Sequence, residues 1–491
     1  MTVQPNEGPV QPVEAAGTVG AEELHRGLKE RHIQMIAIGG AIGVGLFLGS
    51  ASAIQKAGPS LLLSYAVAGV VIFLIMRALG ELLLYRPVSG AFATYAEEFV
   101  GPWAGFVTAW TYWLMWAVIA MAEITAVGIY VQFWFPSVPQ WLPALIALVV
   151  LFGVNLIAVG LFGEFEFWFA MIKVVTIIAM ILLGLAIIIF GLRKGASFTN
   201  LWSHGGFFPK GLDGPFLALQ IVMFAFLGVE LLGVTAGEAQ NPEKTIPSAI
   251  NKVIYRILLF YIGALAVIMS LVAWDQLSVK TSPFVLVFAK VGIPAAAGIV
   301  NFVVLTAALS SCNSGIFSTG RMLYTLAGYR QAPAPLRKVS RQKVPALGMT
   351  VSFTVMLLGV VINYLIPAQA FIYITSVATV CGLFVWGMTV FAHLGYRRYV
   401  NNGRLPPSGY RLPGAPVTNW FVLAFLMLVL VLLAFSKDTR IALYAAPVWA
   451  AIMLVAYIAS RSQHLPAAPP LAPEGTYLHA PAVNPGTEPT I

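Results

Sequence analysis

The chain has 491 residues, of which 59% are hydrophobic and only 10% charged, a balance that excludes a soluble globular domain of this length. The net charge of +9 follows from where Lys and Arg fall around the apolar runs, so no basic surface for a nucleic acid is implied. The two cysteines, Cys312 and Cys381, both lie inside apolar runs, which argues against a disulfide framework.

Residues 1–24 are polar, acidic and contain Pro and Gly, without the basic-then-apolar order of a cleavable signal, and read as a disordered cytoplasmic tail. A hydrocarbon core of roughly 30 Å needs about 20 apolar residues to cross. Twelve such runs follow: 32–54, 60–84, 103–133, 141–161, 165–191, 214–239, 256–275, 288–326, 346–365, 370–395, 418–436 and 441–460. The third and eighth are long and are expected to tilt. No soluble domain interrupts them, so residues 25–461 read as one all-α transmembrane domain. Residues 462–491, rich in Pro and Ala, read as a second disordered cytoplasmic tail. With the N-terminus in the cytoplasm, 18 of the 28 Lys and Arg fall in cytoplasmic segments and 8 in outer ones, which places both termini inside.

The first run carries five glycines in "IGGAIGVGLFLGS", Ile38 to Ser50. Each glycine weakens a helix by about 1 kcal/mol relative to Ala. Unwound backbone at membrane depth is tolerated only where protein buries it or a wet cavity receives it. One reading is that the run unwinds, so that backbone N–H groups at the positive end of a half-helix face a carboxylate. The other is close helix packing through the small-xxx-small pairs Gly39/Gly43 and Gly45/Gly49. On the second run, Arg77 and Glu81 stand one turn apart and are expected to form an intrahelical ion pair. On the third, Glu123 is the only charge and is expected to face a cavity or a helix partner, as a proton or substrate contact or as a structural acceptor. Trp110, Tyr112, Trp113 and Trp116 of the same run line a pocket or belong to packing and the interfacial belt.

Lys173 lies about 12 Å into the fifth run at 1.5 Å per residue, where a charge costs at least about 2.5–3.5 kcal/mol. Either it snorkels to the surface, or it is desolvated and exchanges a proton readily. The sixth run, in the stretch "FAFLGVELLGVTAGEAQNPEK" (224–244) that reaches past its end, is interrupted by Gly228, Gly233 and Gly237 and carries Glu230 at mid-depth. Glu230 is expected to receive an ammonium or a proton, or to bond unwound backbone. Phe226 is a candidate lid, and Glu238, near Pro242 where the helix should end, a candidate gate. Ser310, Ser311 and Asn313 of the eighth run either face Lys173 and the first run or join helices. If runs 1–5 and 6–10 are inverted halves, the breaks in runs 1 and 6 correspond, a pattern that points to a transport site.

The stretches "RHIQMIAIGGAIGVGLFLGS", "AGPSLLLSYAVAGVVIFLIMRALGEL", "FGEFEFWFAMIKV", "FAFLGVELLGVTAGEAQNPEKTIPSAIN" and "NFVVLTAALSSCNSGIFSTGRML" resemble, in order and spacing over about residues 24–460, the bacterial amino-acid permeases of the amino acid–polyamine–organocation superfamily. The resemblance implies twelve transmembrane helices, ten in a five-plus-five inverted repeat with helices 1 and 6 broken and two appended, and proton-driven uptake of an amino acid. It implies that Gly39, Gly40, Ala41, Ile42, Gly43, Val44 and Gly45, with Phe224, Phe226, Gly228 and Glu230, surround the substrate's α-carboxylate and α-amino groups. Lys173, with Glu123 and Glu230, is then expected in proton coupling, Lys173 standing where sodium-coupled relatives bind sodium. One departure is Val44, where members of the family often carry Thr.

No P-loop for ATP is present, and the six histidines show no metal-ligand pattern with the two cysteines, so no enzymatic or cofactor chemistry is expected. The reading is a proton-coupled secondary transporter of the bacterial inner membrane whose partners are the amino acid, the proton and membrane lipid. A proton-independent exchanger or channel and a membrane sensor are the alternatives. The substrate side chain is expected to be neutral, of the glycine/D-alanine/D-serine or proline/histidine type, with the asparagine and aromatic branches open.

Overall fold

The computed structural model describes residues 42–88, 90–157, 162–231, 233, 242–278, 281–291, 294–340 and 344–464. These are all helix, turn and loop, with no strand among the described residues. The helices are α1 (Ser50–Ala57), entered through a π-helical turn at Gly45–Gly49, α2 (Leu61–Tyr85), the short α3 (Ala91–Phe99), α4 (Pro102–Gln132) and α5 (Trp141–Ile157). There follow α6 (Phe162–Ile189), α7 (Asp213–Ala225), α8 (Pro242–Arg256), α9 (Ala264–Leu271), α10 (Pro283–Val291) and α11 (Pro294–Gly328). The last four are α12 (Ala346–Leu365), α13 (Pro367–Asn401), α14 (Val417–Leu432) and α15 (Arg440–Ser460).

Among the described residues nine helical stretches are long and apolar enough to cross a membrane, and Trp141–Ile157 and Asp213–Ala225 are apolar but shorter. The longest, Gly45–Tyr85, has 41 residues, about twice what one crossing needs. Gly58 divides it: its φ of +62° is open to glycine but strained for other residues, and a Cβ there would lie 2.4 Å from Pro209.

Prolines open α4, α8, α10, α11 and α13. At the first position of a helix the missing N–H has no intrahelical acceptor to lose, and the fixed φ already suits the helix. Pro242 begins a helix, α8, which continues through a π-helical segment, Ile257–Gly263, into α9, while the end of the sixth run's helix lies outside the described residues. One expectation is corrected. The single eighth run is two helices, α10 and α11, the second starting at Pro294.

The centre of the molecule is α4, packed by α3, α5, α11, α12 and α13. Its residues from Ala117 to Gly128 are buried without interruption. The carboxyl-terminal α15 lies at the other extreme, with only Ala442 and Met453 buried. A charge on α4 is therefore held by protein on every side, and a break in a neighbouring helix opens onto it.

Candidate functional site

The two glycine-interrupted runs break where they meet α4. At Ile42 and Gly43 the chain is not helical, and the carbonyl of Gly43 accepts from the N–H groups of both Leu46 and Phe47 at 3.2 Å as the helix starts. A Cβ on Gly43 would lie 2.8 Å from Oε1 of Glu123, so the carboxylate of α4 rests against this backbone. A Cβ on Gly45 would lie 2.6 Å from Cα of Ala225, the last residue of α7, so here the two broken runs touch backbone to backbone. Gly43 lies at a nonhelical start, whereas Gly45 permits close packing.

The break after α7 is closed by local bonds. Phe226 and Leu227 donate N–H to Met223 and Phe224 at 3.1 and 3.0 Å, and the chain reverses at Gly228, whose φ is +97°. Helix termination leaves backbone groups without partners, and buried ones must find them elsewhere. The carbonyl of Ala225 accepts from the Tyr261 hydroxyl at 3.0 Å. The N–H of Gly228 donates to the carboxylate of Glu230, whose oxygens lie 3.1 and 3.0 Å away. Glu230 is fully buried and bonds unwound backbone, one of the two roles weighed for it.

Between the breaks lies a small cavity of about 20 Å³. Gly43 and Gly45 line it on one side, Phe224, Ala225 and Leu227 on another, Trp116, Ile119 and Glu123 on the α4 side, and Ser311 of α11 completes it. That volume admits about one water. An amino acid is larger than that volume. Glu123 is the one carboxylate among the lining residues.

Other expected site residues fall elsewhere. Phe226 does not line the cavity: its ring packs against Tyr261 and Tyr65 at 4.9 and 5.9 Å between centroids. Val44 is buried and also absent from the lining. Lys173 on α6 is 1% exposed, which removes the snorkelling alternative, and it sits apart from the cavity lining. Of the α4 aromatics only Trp116 lines the cavity. Trp113 donates to the Ser352 hydroxyl at 3.0 Å and Trp110 to the Gln331 carbonyl at 3.1 Å, both packing roles. Asn313 accepts from Asn155 at 2.6 Å and joins α11 to α5, while Ser311 faces the cavity. Gly39, Gly40, Ala41 and Glu238 lie outside the described residues.

The Arg77–Glu81 pair is overturned. Glu81 accepts from Arg397 Nη1 and His393 Nε2 of α13, each at 2.9 Å, and from the N–H of Leu412 at 2.7 Å. Arg77 instead donates to the Arg411 carbonyl and lies 3.6 Å from the Tyr410 ring centre. A buried carboxylate demands several donors, and those on α13 and its following loop supply them better than one arginine on its own helix. Sequence reasoning also missed Ile119, Ala225 and Leu227, which carry no signal beyond being apolar.

A family profile described as amino acid permease matches residues 32–469. The chain belongs to the amino acid permease family. The permease is 51% identical over 439 residues to the amino-acid permease AapA of Bacillus subtilis (strain 168), covering 89% of this chain and 95% of that one. It is 50% identical over 439 residues to a protein of the same strain named "Probable threonine/serine transporter YbxG", with the same coverage of 89% and 95%. The aromatic amino acid transport protein AroP of Escherichia coli O157:H7 is 46% identical over 448 residues, 90% of this chain and 97% of its own. The permease is thus a multi-pass membrane protein and a transporter, not an enzyme, and its small-molecule substrate is an amino acid.

Proposed function

We propose that the permease is a secondary active transporter that imports a neutral amino acid together with a proton by alternating access. The observation that carries this is the meeting of the two interrupted helices, at Gly43–Gly45 and Ala225–Gly228, around one small cavity beside Glu123. When the segments part, the N–H groups at the start of the helix after Gly43 receive the α-carboxylate, and carbonyls freed at the end of α7 receive the ammonium. Glu230 holds the second break in shape through Gly228, and Glu238 serves as a gate. Lys173, buried at a cost that function must justify, carries the coupled proton, with Glu123 between it and the substrate.

Dividing Gly45–Tyr85 at Gly58 and including the two shorter apolar helices supports twelve crossings. In this reading ten form the inverted repeat, both termini are cytoplasmic, the membrane is the bacterial inner one, and the proton gradient is the only driving force.

Gly43, Gly45, Ala225 and Ser311 favour a small side chain, in keeping with the threonine and serine named for one relative. Trp116 and Phe224 support a second reading, an aromatic substrate as named for another.

Uptake in proteoliposomes with an imposed inward proton gradient and a panel of labelled amino acids tests both points. Accumulation above equilibrium that is lost when the gradient is collapsed supports symport, and the accumulated compound identifies the side-chain class. Lys173→Met is expected to abolish gradient-driven accumulation while retaining exchange of internal for external substrate. Wild-type flux seen only with preloaded substrate would replace symport by exchange, and undiminished accumulation by Lys173→Met would remove the lysine from coupling.

A further inference from the structure

Sharing no residue with the cavity, an open groove of about 610 Å³ runs between α2 and α14. Leu74 of α2 forms its floor, Pro413 and Gly414 one wall, and Val417, Thr418 and Phe421 of α14 the other. The volume is in the range of roughly 300–1,000 Å³ typical of small-molecule sites. Val417 and Phe421 are 75% and 51% exposed, so the apolar wall faces outward from the protein, where this chain meets lipid.

The groove is built rather than incidental. The strap that makes its wall is tied to α2 twice, by the Leu412 N–H on Glu81 and by the Arg411 carbonyl on Arg77. It is tied to α14 by the Thr418 hydroxyl, which donates to the Pro413 carbonyl at 2.6 Å. Gly414, at φ +70°, lets the strap turn at the wall, where a Cβ would lie 2.7 Å from that hydroxyl.

One end of the groove is cationic. Arg77 lies one turn along α2 from Leu74, and Arg411 lies two residues before Pro413 with its side chain exposed. Arg77 spends one nitrogen on the Arg411 carbonyl and lies over the Tyr410 ring with its Nε buried, and Arg411 spends its Nε on the Ser408 carbonyl, so it is their remaining guanidinium nitrogens that face outward. The nearby carboxylate, Glu81, is taken by His393, Arg397 and the Leu412 N–H, and so does not neutralise this pair. An apolar trough open to the bilayer with two guanidinium groups at one end matches a molecule with an acyl chain and an anionic phosphate.

We propose that this groove is a binding site for an anionic phospholipid, one acyl chain lying along Leu74, Val417 and Phe421 and the phosphate meeting Arg77 and Arg411. The bound lipid braces α2, the strap and α14 as one unit. The assignment is independent of what the cavity carries.

Native mass spectrometry of the purified, delipidated full-length protein, titrated with phosphatidylglycerol or with phosphatidylcholine of the same chain length, tests it. Phosphatidylglycerol adducts are expected at an occupancy on the order of tenfold higher. Arg411→Gln should reduce that preference several-fold, and Val417→Trp, which fills the trough from an exposed position, should remove the adducts. Glycerol phosphate, which lacks the chains, should not compete. Equal occupancy by the two lipids, or adducts untouched by both substitutions, overturns the proposal in favour of unselective annular lipid. Competition by glycerol phosphate would reassign the site to a free phosphate, and a dimer dissociated by Val417→Trp would reassign the face to a second copy of the chain.

Discussion

Gly45 and Gly49 stand four residues apart on one face of the same helix, and the structure asks different things of them. A Cβ on Gly45 would meet the Ala225 backbone at 2.6 Å, a contact that no side-chain adjustment relieves. At Gly49 the nearest neighbour is the Ile221 methyl at 3.4 Å, an ordinary contact. Gly45→Ala should therefore cost about 1–3 kcal/mol through overpacking and lower the melting temperature in detergent. Gly49→Ala should leave it unchanged or raise it slightly, since alanine favours helix by up to about 1 kcal/mol. Equal melting temperatures for the two variants would refute the backbone contact between the broken segments. Spacing alone made both glycines packing candidates; the facing residue distinguishes them.

At the scale of elements, the buried carboxylate of Glu81 joins α2, α13 and the strap before α14. His393, which donates to Glu81, lies 2.9 Å through its other ring nitrogen from the Asn419 amide of α14, so three helices share one polar network. Removing one member of a buried charged pair costs about 3–5 kcal/mol because its partner stays buried. Glu81→Gln is expected to destabilise by an amount in that range. In a double-mutant cycle Glu81 and Arg397 should couple by about 0.5–3 kcal/mol, with Glu81 and Arg77 coupling less. The reverse order would restore the intrahelical pair. That pair was the natural expectation from the sequence, because four-residue spacing is visible within a run, whereas Arg397 stands more than three hundred positions away.

For the whole molecule, access to the cavity is the governing question. The amide of Gln55, at the end of α1, donates to the carbonyls of Trp274 and Leu277 at 2.9 and 2.6 Å, fastening α1 to the loop after α9. Glu81 lies about 30 Å further along α2 at 1.5 Å per residue, so ties fasten both ends of the helical body. Loosening one end should open a path to the cavity. In a Cys312→Ser, Cys381→Ser background, Ser311→Cys should react slowly with a polar maleimide, and adding Gln55→Ala should raise the rate several-fold. Equal rates would mean that this amide holds nothing shut.

The sequence by itself determined the class of molecule, the positions of nearly all the helices and the two places where helices break, because hydropathy, glycine and proline act over a few neighbouring residues. It also marked Glu123, Lys173 and Glu230 as buried ionisable groups, since any charge inside an apolar run is costly. The tertiary structure alone decided that Glu123 rests on Gly43, that Glu230 holds Gly228, and that Phe226 turns from the cavity to Tyr65 and Tyr261. It also decided which apolar residues face protein and which face lipid, as with Val71, fully buried, and Val70, 58% exposed. The physical reason is that both surroundings are apolar, so hydropathy does not tell them apart. The partner of a buried polar group stands on another helix, at a sequence separation that no helical period encodes.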